Sequence, residues 1–134
     1  MDGAKIIIAF ALGFIFAQGI KVLLAKIRGE KNLKKYITGS GGMPSGHAAS
    51  TVATATCIGF ICGFDSVIFG LAVTVVLTVI YDAVNVRYAV GEQGKVLNSI
   101  SSKQLKIVEG HTKIEVFAGI LLGILIGWEV FVIL

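Results

Sequence analysis

The chain has 134 residues, of which 55% are hydrophobic and 15% charged, with twelve lysines and arginines against eight aspartates and glutamates for a net charge of +4. A mean hydropathy of +0.87 excludes a water-soluble domain of this size, which needs a charged, hydrated shell. The composition predicts an all-α fold, a single-domain integral membrane bundle, because helices satisfy every backbone group within a span and tolerate the seventeen glycines found here.

Crossing a hydrocarbon core takes about 20 mostly apolar residues, and four segments are expected to do so. The first, residues 4–24, follows a start, Met1-Asp2-Gly3-Ala4-Lys5, that lacks the basic stretch of a secretory signal, so it reads as a retained anchor. Lys21 lies about a turn and a half inside its far end. A basic connection, residues 26–47, leads to the second segment, residues 48–64, which is short and is expected to start earlier or to tilt less. Cys57 and Cys62, five apart in an apolar run, fit neither a zinc clip nor a disulfide framework and read as packing thiols. Only Gly63-Phe64-Asp65 separates this segment from the third, residues 66–86, which predicts an antiparallel hairpin. A second long connection, residues 87–113, precedes the fourth segment, residues 114–134.

Four crossings put both long connections on one membrane face and the termini with the Asp65 turn on the other. Ser45, His47, Arg87 and His111 then share a face although they are far apart in sequence. Eleven of the twelve basic residues lie between Lys21 and Lys113, which by the positive-inside bias makes that face cytoplasmic. A site for anions would gather the same charges. Small residues recur at every fourth position, as Ala9, Gly13, Ala17; Ala49, Ala53, Cys57; Gly70, Thr74, Thr78; and Gly119, Gly123, Gly127. Such stripes let helix backbones approach closely in lipid, and the last of them also offers a surface for a homo-oligomer.

Three clusters carry chemistry. Gly39-Ser40-Gly41-Gly42-Met43-Pro44-Ser45-Gly46-His47 is a glycine-rich turn feeding a helix start, which presents backbone N–H groups, a hydroxyl and the positive helix end to an anion. A flexible loop would account for the glycines alone, but His47 at the helix entrance is placed to exchange a proton with whatever anion binds. Glu109-Gly110-His111-Thr112-Lys113-Ile114-Glu115 sets His111 and Glu115 four residues apart on one helical face, where the carboxylate can orient the imidazole for nucleophilic attack or serve only as a helix N-terminal charge. Lys21, Asp82 and Arg87 are ionisable groups inside or at the ends of apolar spans. Lys21 and Arg87 suit phosphate oxygens, while Asp82 either holds one of them in place or fixes helix register as an ion pair.

Gly41-Gly42-Met43-Pro44-Ser45-Gly46-His47, Tyr81-Asp82 with Arg87, and Gly110-His111-Thr112 with Glu115 resemble the divergent branch of the type 2 phosphatidic acid phosphatase superfamily, relatives of the vanadium haloperoxidases. The resemblance implies His111 as the nucleophile that becomes a phosphohistidine, Glu115 as the acid that orients it, and His47 as the proton donor to the leaving oxygen. It implies Ser45, Gly46 and Arg87 as ligands of the phosphate oxygens, with Lys21 from the first motif. Neither a metal nor a cofactor enters that scheme, and nucleic acid is no partner.

Three departures stand out. A 23-residue insertion separates Arg87 from His111, the carboxylate is glutamate rather than aspartate, and Gly29 follows Arg28 where the first motif has proline. Arg28 keeps the usual six intervening residues after Lys21, and Lys34 and Lys35 compete with it as the second basic group. The expected activity is hydrolysis of a lipid phosphomonoester or pyrophosphate, of phosphatidate or polyprenyl phosphate type, with the tail in the bilayer. Two alternatives are a non-enzymatic protein that binds or translocates anionic lipids, which would not need His111, and a purely structural bundle.

Overall fold

The structure is a computed structural model that describes residues 2–33, 36, 42–105, 107 and 110–134. Among the described residues the secondary structure is helical throughout, with no strand. Helix α1 is Asp2–Ile27, α2 is Gly46–Cys62, α3 is Val67–Tyr81, a π-helical turn occupies Asp82–Val86, α4 is Arg87–Ile100, and α5 is Lys113–Ile133. Three helices, Asp2–Ile27, the continuous Val67–Ile100 and Lys113–Ile133, are long and apolar enough to cross a membrane, and α2 is a shorter apolar helix.

Helix α2 is the axis of the fold, packed against α1, α3 and α5. At 17 residues it is only about 26 Å long, but neighbours on three sides cover it. The short segment indeed starts earlier than residue 48, at Gly46, with Ser45 as its N-cap.

Close approach is what the small residues supply. On α1 the buried face is Ala9, Gly13, Ala17, Lys21 and Ala25, one residue per turn. A Cβ on Gly13 would sit 2.9 Å from the Ala49 carbonyl oxygen. Helix α5 meets α2 more tightly still: added Cβ atoms on Gly119, Gly123 and Gly127 would lie 2.7, 2.6 and 2.5 Å from the carbonyl oxygens of Ser45, Ala49 and Ala53. Both helices advance four residues per contact, so three glycines rest on three successive backbone turns of α2. Where lipid is as apolar as the side chains, this backbone contact is the main source of helix cohesion.

Two expectations about stripes need correction. The α5 glycines are consumed inside the protomer, so they are not the surface for a second copy. Gly70, Thr74 and Thr78 face outward: Gly70 has open space where its Cβ would be, and the threonine hydroxyls donate back to the carbonyls of Leu71 and Thr74. Helix α3 buries no residue fully and packs chiefly on α2. Its composition is apolar on all sides, so small residues there did not mark the packed face. The cysteines divide too, with Cys57 in the core beside Ala9, Ala53, Ile126 and Val130, and Cys62 exposed rather than packed.

The hairpin between α2 and α3 forms as expected. Gly63 takes a φ of +92°, and Ser66 caps α3 by accepting from the Phe69 N–H. Phe60, Phe64, Phe69 and Phe131 form a chain of ring contacts with centroids 5.1–5.2 Å apart that ties this end to α5.

The largest correction concerns residues 87–113, expected as a loop. The third span does not end at Val86 but runs through the π-helical turn into α4, ending at Ile100. Its polar residues, together with Gly91 and Gly94, suggest a connection, yet nothing in the stretch stops a helix. After Ile100 the chain doubles back: Asn98 exchanges hydrogen bonds with Leu105, donating to its carbonyl at 3.0 Å and accepting from its N–H at 2.8 Å, and Gly94 lies under Ile107.

Candidate active site

The site is assembled where the start of α2, the π-helical turn and the start of α5 converge over α1. A small cluster of Ala48, Ala83 and Val116, one residue from each of the first three, forms its floor. Gly42, at φ +82°, and a cis Met43–Pro44 peptide bring the chain to Ser45. Ser45 is fully buried; its hydroxyl oxygen accepts from the Ala48 N–H, and its own N–H donates to the Glu115 carbonyl at 3.0 Å. That last bond ties the glycine-rich turn directly to the His111 motif. Gly46 is buried beneath the Phe14 ring, which would lie 3.3 Å from an added Cβ.

His111 is only 4% exposed, and its Nδ1 lies 3.3 Å from Glu115 Oε2. The same carboxylate oxygen accepts from the Thr112 N–H at 2.9 Å while the Thr112 hydroxyl accepts from the Glu115 N–H, so Glu115 also closes the capping box of α5. An Nδ1–H donated to Glu115 leaves the Nε2 lone pair free. Burial, together with the positive charge of Lys21 and of His47 when protonated, holds His111 below the usual imidazole pKa, against the opposing pull of Glu115. The shift favours the neutral ring.

His47 stands exposed in the first turn of α2, its ring edge-on to Phe14 at 6.2 Å. The charges that act on it are Arg87, Lys21 and Asp82. Those acting on His111 are Lys21, Glu115 and His47. Lys21, His47, Asp82, Arg87, His111 and Glu115 thus form one electrostatic group despite a span of 95 positions, from 21 to 115. Lys21 reaches it from the buried face of α1.

The insertion between Arg87 and His111 does not part them. Gly110 rests on the backbone of Arg87 and Tyr88: an added Cβ would be 2.3 Å from the Tyr88 nitrogen and 2.8 Å from the Arg87 carbonyl carbon. The His111 N–H donates to the Ala83 carbonyl at 3.0 Å. Arg87 Nε donates to Asp82 Oδ2 across the π-helical turn.

Of the three candidates for a second basic group, Arg28 is exposed in the turn after α1, while Lys34 and Lys35 lie outside the described residues, as do Glu109 and Gly39, Ser40 and Gly41 of the glycine-rich run. Gly29 takes φ +76°, its N–H donating to Lys26 O and the Glu30 N–H to Ala25 O, a glycine helix stop that proline could not adopt. A cavity of about 170 Å³ beside Glu115 is lined by Tyr88, Gly91, Glu92, Lys95 and Thr112 among others. Sequence reasoning missed this wall; the i, i+3, i+4 spacing of Tyr88, Gly91, Glu92 and Lys95 on one helical face was its only signal.

No group of three or more acidic, histidine or cysteine side chains suited to a metal ion occurs among the described residues. Comparison with known proteins agrees with the architecture. The profile of the Divergent PAP2 family matches residues 3–126. The chain is also similar to the uncharacterized membrane protein YuiD of Bacillus subtilis (strain 168), with 35% identity over 133 aligned residues and 84% of each chain covered. No solved structure matches. On the extent of these matches, and with three helices fit to cross a bilayer, this chain is a membrane protein belonging to the divergent PAP2 family.

Proposed function

We propose that the protein is a phosphatase acting on an amphipathic lipid phosphate, a phosphomonoester or pyrophosphate, through a phosphohistidine on His111. The observation that carries this reading is the buried His111 with its Nδ1 3.3 Å from Glu115 Oε2, in the same charge group as His47, Lys21 and Arg87. Phosphoryl transfer asks a protein mainly for a positioned nucleophile, a proton donor and positive charge around the equatorial oxygens.

In the first step His111 Nε2 attacks phosphorus, the ester P–O bond breaks, and protonated His47 gives its proton to the departing oxygen. Glu115 balances the positive charge that develops on the His111 ring. Water then attacks the phosphohistidine, His47 takes its proton, and the N–P bond breaks to release inorganic phosphate and neutral His111. Lys21, Arg87, the Gly46 backbone and the Ser45 hydroxyl hydrogen are the groups that would hold phosphate oxygens. The chain crosses the bilayer four times in this reading, with the site at the cytoplasmic face and the lipid tail left in the membrane.

Phosphate release from a panel of phosphatidate and polyprenyl phosphates by purified protein tests the proposal. Turnover by the wild type, abolished in His111→Ala and strongly reduced in His47→Ala, is expected. Wild-type binding of the same lipids with no release would favour a lipid-binding role, and full turnover by His111→Ala would rule out the nucleophile.

A further inference from the structure

The π-helical turn Asp82–Val86 adds one residue to what would otherwise be a regular helix from Val67 to Ile100. Its consequence for hydrogen bonding is specific. In an α-helix the Arg87 N–H would donate to the Ala83 carbonyl, four residues back. Here it donates to Asp82 instead, and the Ala83 carbonyl accepts the N–H of His111. The Asp82 side chain at the same turn holds Arg87. Gly110, immediately before His111, lies so close to Arg87 and Tyr88 that no Cβ would fit.

We infer that this π-helical turn is the positioning device that rejoins the two parts of a phosphate-binding motif split by the insertion: the Ala83 carbonyl holds His111, Asp82 holds Arg87, and Gly110 permits their close docking. The inference rests on the catalytic roles proposed above for His111 and Arg87. The contacts themselves do not depend on those roles. Isolated π-helical turns recur at functional sites because they release a carbonyl from the helical ladder and swing one side chain relative to the next. Both effects are used here, since Ala83 is buried against Ala48 and Val116, fixing the turn to the site floor.

Removing the extra residue is the direct perturbation. Asn85 is exposed, and its side chain donates only to the Tyr81 carbonyl one turn back. Its deletion would let Arg87 follow Asp82 at ordinary α-helical spacing and hand the Ala83 carbonyl to Tyr88, leaving the His111 N–H without its acceptor. Gly110→Ala attacks the same junction from the other side without altering helix length. Gly70→Ala, at a position with open space, is the control.

Amide hydrogen exchange in detergent micelles reads the proposed bond itself. The His111 N–H of the wild type, outside any helix, is expected to exchange on the order of 100-fold more slowly than in an unstructured peptide. Both the Asn85 deletion and Gly110→Ala should abolish that protection while the helical amides of α2 and α5 keep theirs, and Gly70→Ala should change nothing. In lipid phosphate hydrolysis the two variants should lose on the order of 100-fold in kcat, the scale of a small misplacement of a reacting group, with KM within a few-fold of wild type. A fold-destabilising effect alone would lower the amount of active protein but not kcat per folded molecule. Unprotected His111 in the wild type, or wild-type protection in a folded Asn85 deletion, would overturn the inference. If the wild type releases no phosphate while the amide is protected and both variants lose it, the positioning device stands and the catalytic reading falls.

Discussion

Replacing Glu115 separates two jobs that one carboxylate performs. Glu115 Oε2 lies 3.3 Å from His111 Nδ1 and accepts from the Thr112 N–H, so in the proposed mechanism it orients the nucleophile and caps α5 at once. Glu115→Gln keeps an acceptor oxygen of the same reach, and glutamine serves in a capping box as glutamate does. Its stability should stay within about 0.5 kcal/mol of wild type. What it loses is charge. A hydrogen bond to a charged group is worth about 1.5–3 kcal/mol against about 0.5–1.5 for a neutral one, and the difference of roughly 1–1.5 kcal/mol predicts about a tenfold fall in kcat. Glu115→Ala removes orientation and half of the cap, with a stability loss of roughly 0.5–1 kcal/mol and a fall in kcat of about 100-fold. Thermal unfolding in detergent and single-turnover hydrolysis of a lipid phosphate give the two quantities separately. Wild-type kcat in Glu115→Gln would show that the carboxylate only caps the helix, and the argument for His111 activation would fail.

Three further outcomes are expected. Because burial lowers the pKa of His111 in the folded protein, the acidic limb of kcat/KM should lie below the ordinary imidazole value of about 6.5; the same linkage leaves its stability contribution intact above that value and erodes it as pH falls, since the unfolded chain then binds the proton more readily. A limb above pH 7 would contradict the assignment. Gly123→Ala should destabilise the bundle by about 1–3 kcal/mol through its clash with the Ala49 carbonyl, whereas Gly70→Ala, on an open face, should be neutral or stabilising by up to about 1 kcal/mol; equal effects in thermal unfolding would refute the packing described. Arg87→Lys keeps the charge but not the planar guanidinium held by Asp82, and should raise KM about tenfold, while an unchanged KM would remove Arg87 from the phosphate site.

The parts of this fold that could be read from sequence are those written in composition. Long apolar runs marked α1, α3 and α5, and the short Gly63-Phe64-Asp65 connection marked the tight hairpin. The shared face of His111 and Glu115 was visible in their four-residue spacing, whereas the capping box that Glu115 forms with Thr112 was not read there. Other features were not visible because they depend on what lies across the space between helices. Gly70 and Gly123 occur in identical four-residue stripes, and only the backbone opposite, absent for one and 2.6 Å away for the other, tells them apart. Helix α4 was hidden by its polarity, which in this chain reflects leaving the apolar span rather than losing helical structure. The closeness of Arg87 to His111 depended on two things no spacing rule encodes, an extra residue in a helix and a glycine docked on a distant backbone.

The central claim is that His111 carries the phosphoryl group, and trapping that species tests it most directly. A lipid phosphate with a good leaving group needs little help from His47 in the first step, whereas the second step still requires it as base. Rapid mixing of such a substrate with His47→Ala, quenching in alkali where phosphohistidine survives, and mass-spectrometric mapping should find the phosphate on His111, with no label in the His47→Ala, His111→Ala double variant. Phosphate released at the wild-type rate with no labelled histidine, or label on another residue, would contradict the account.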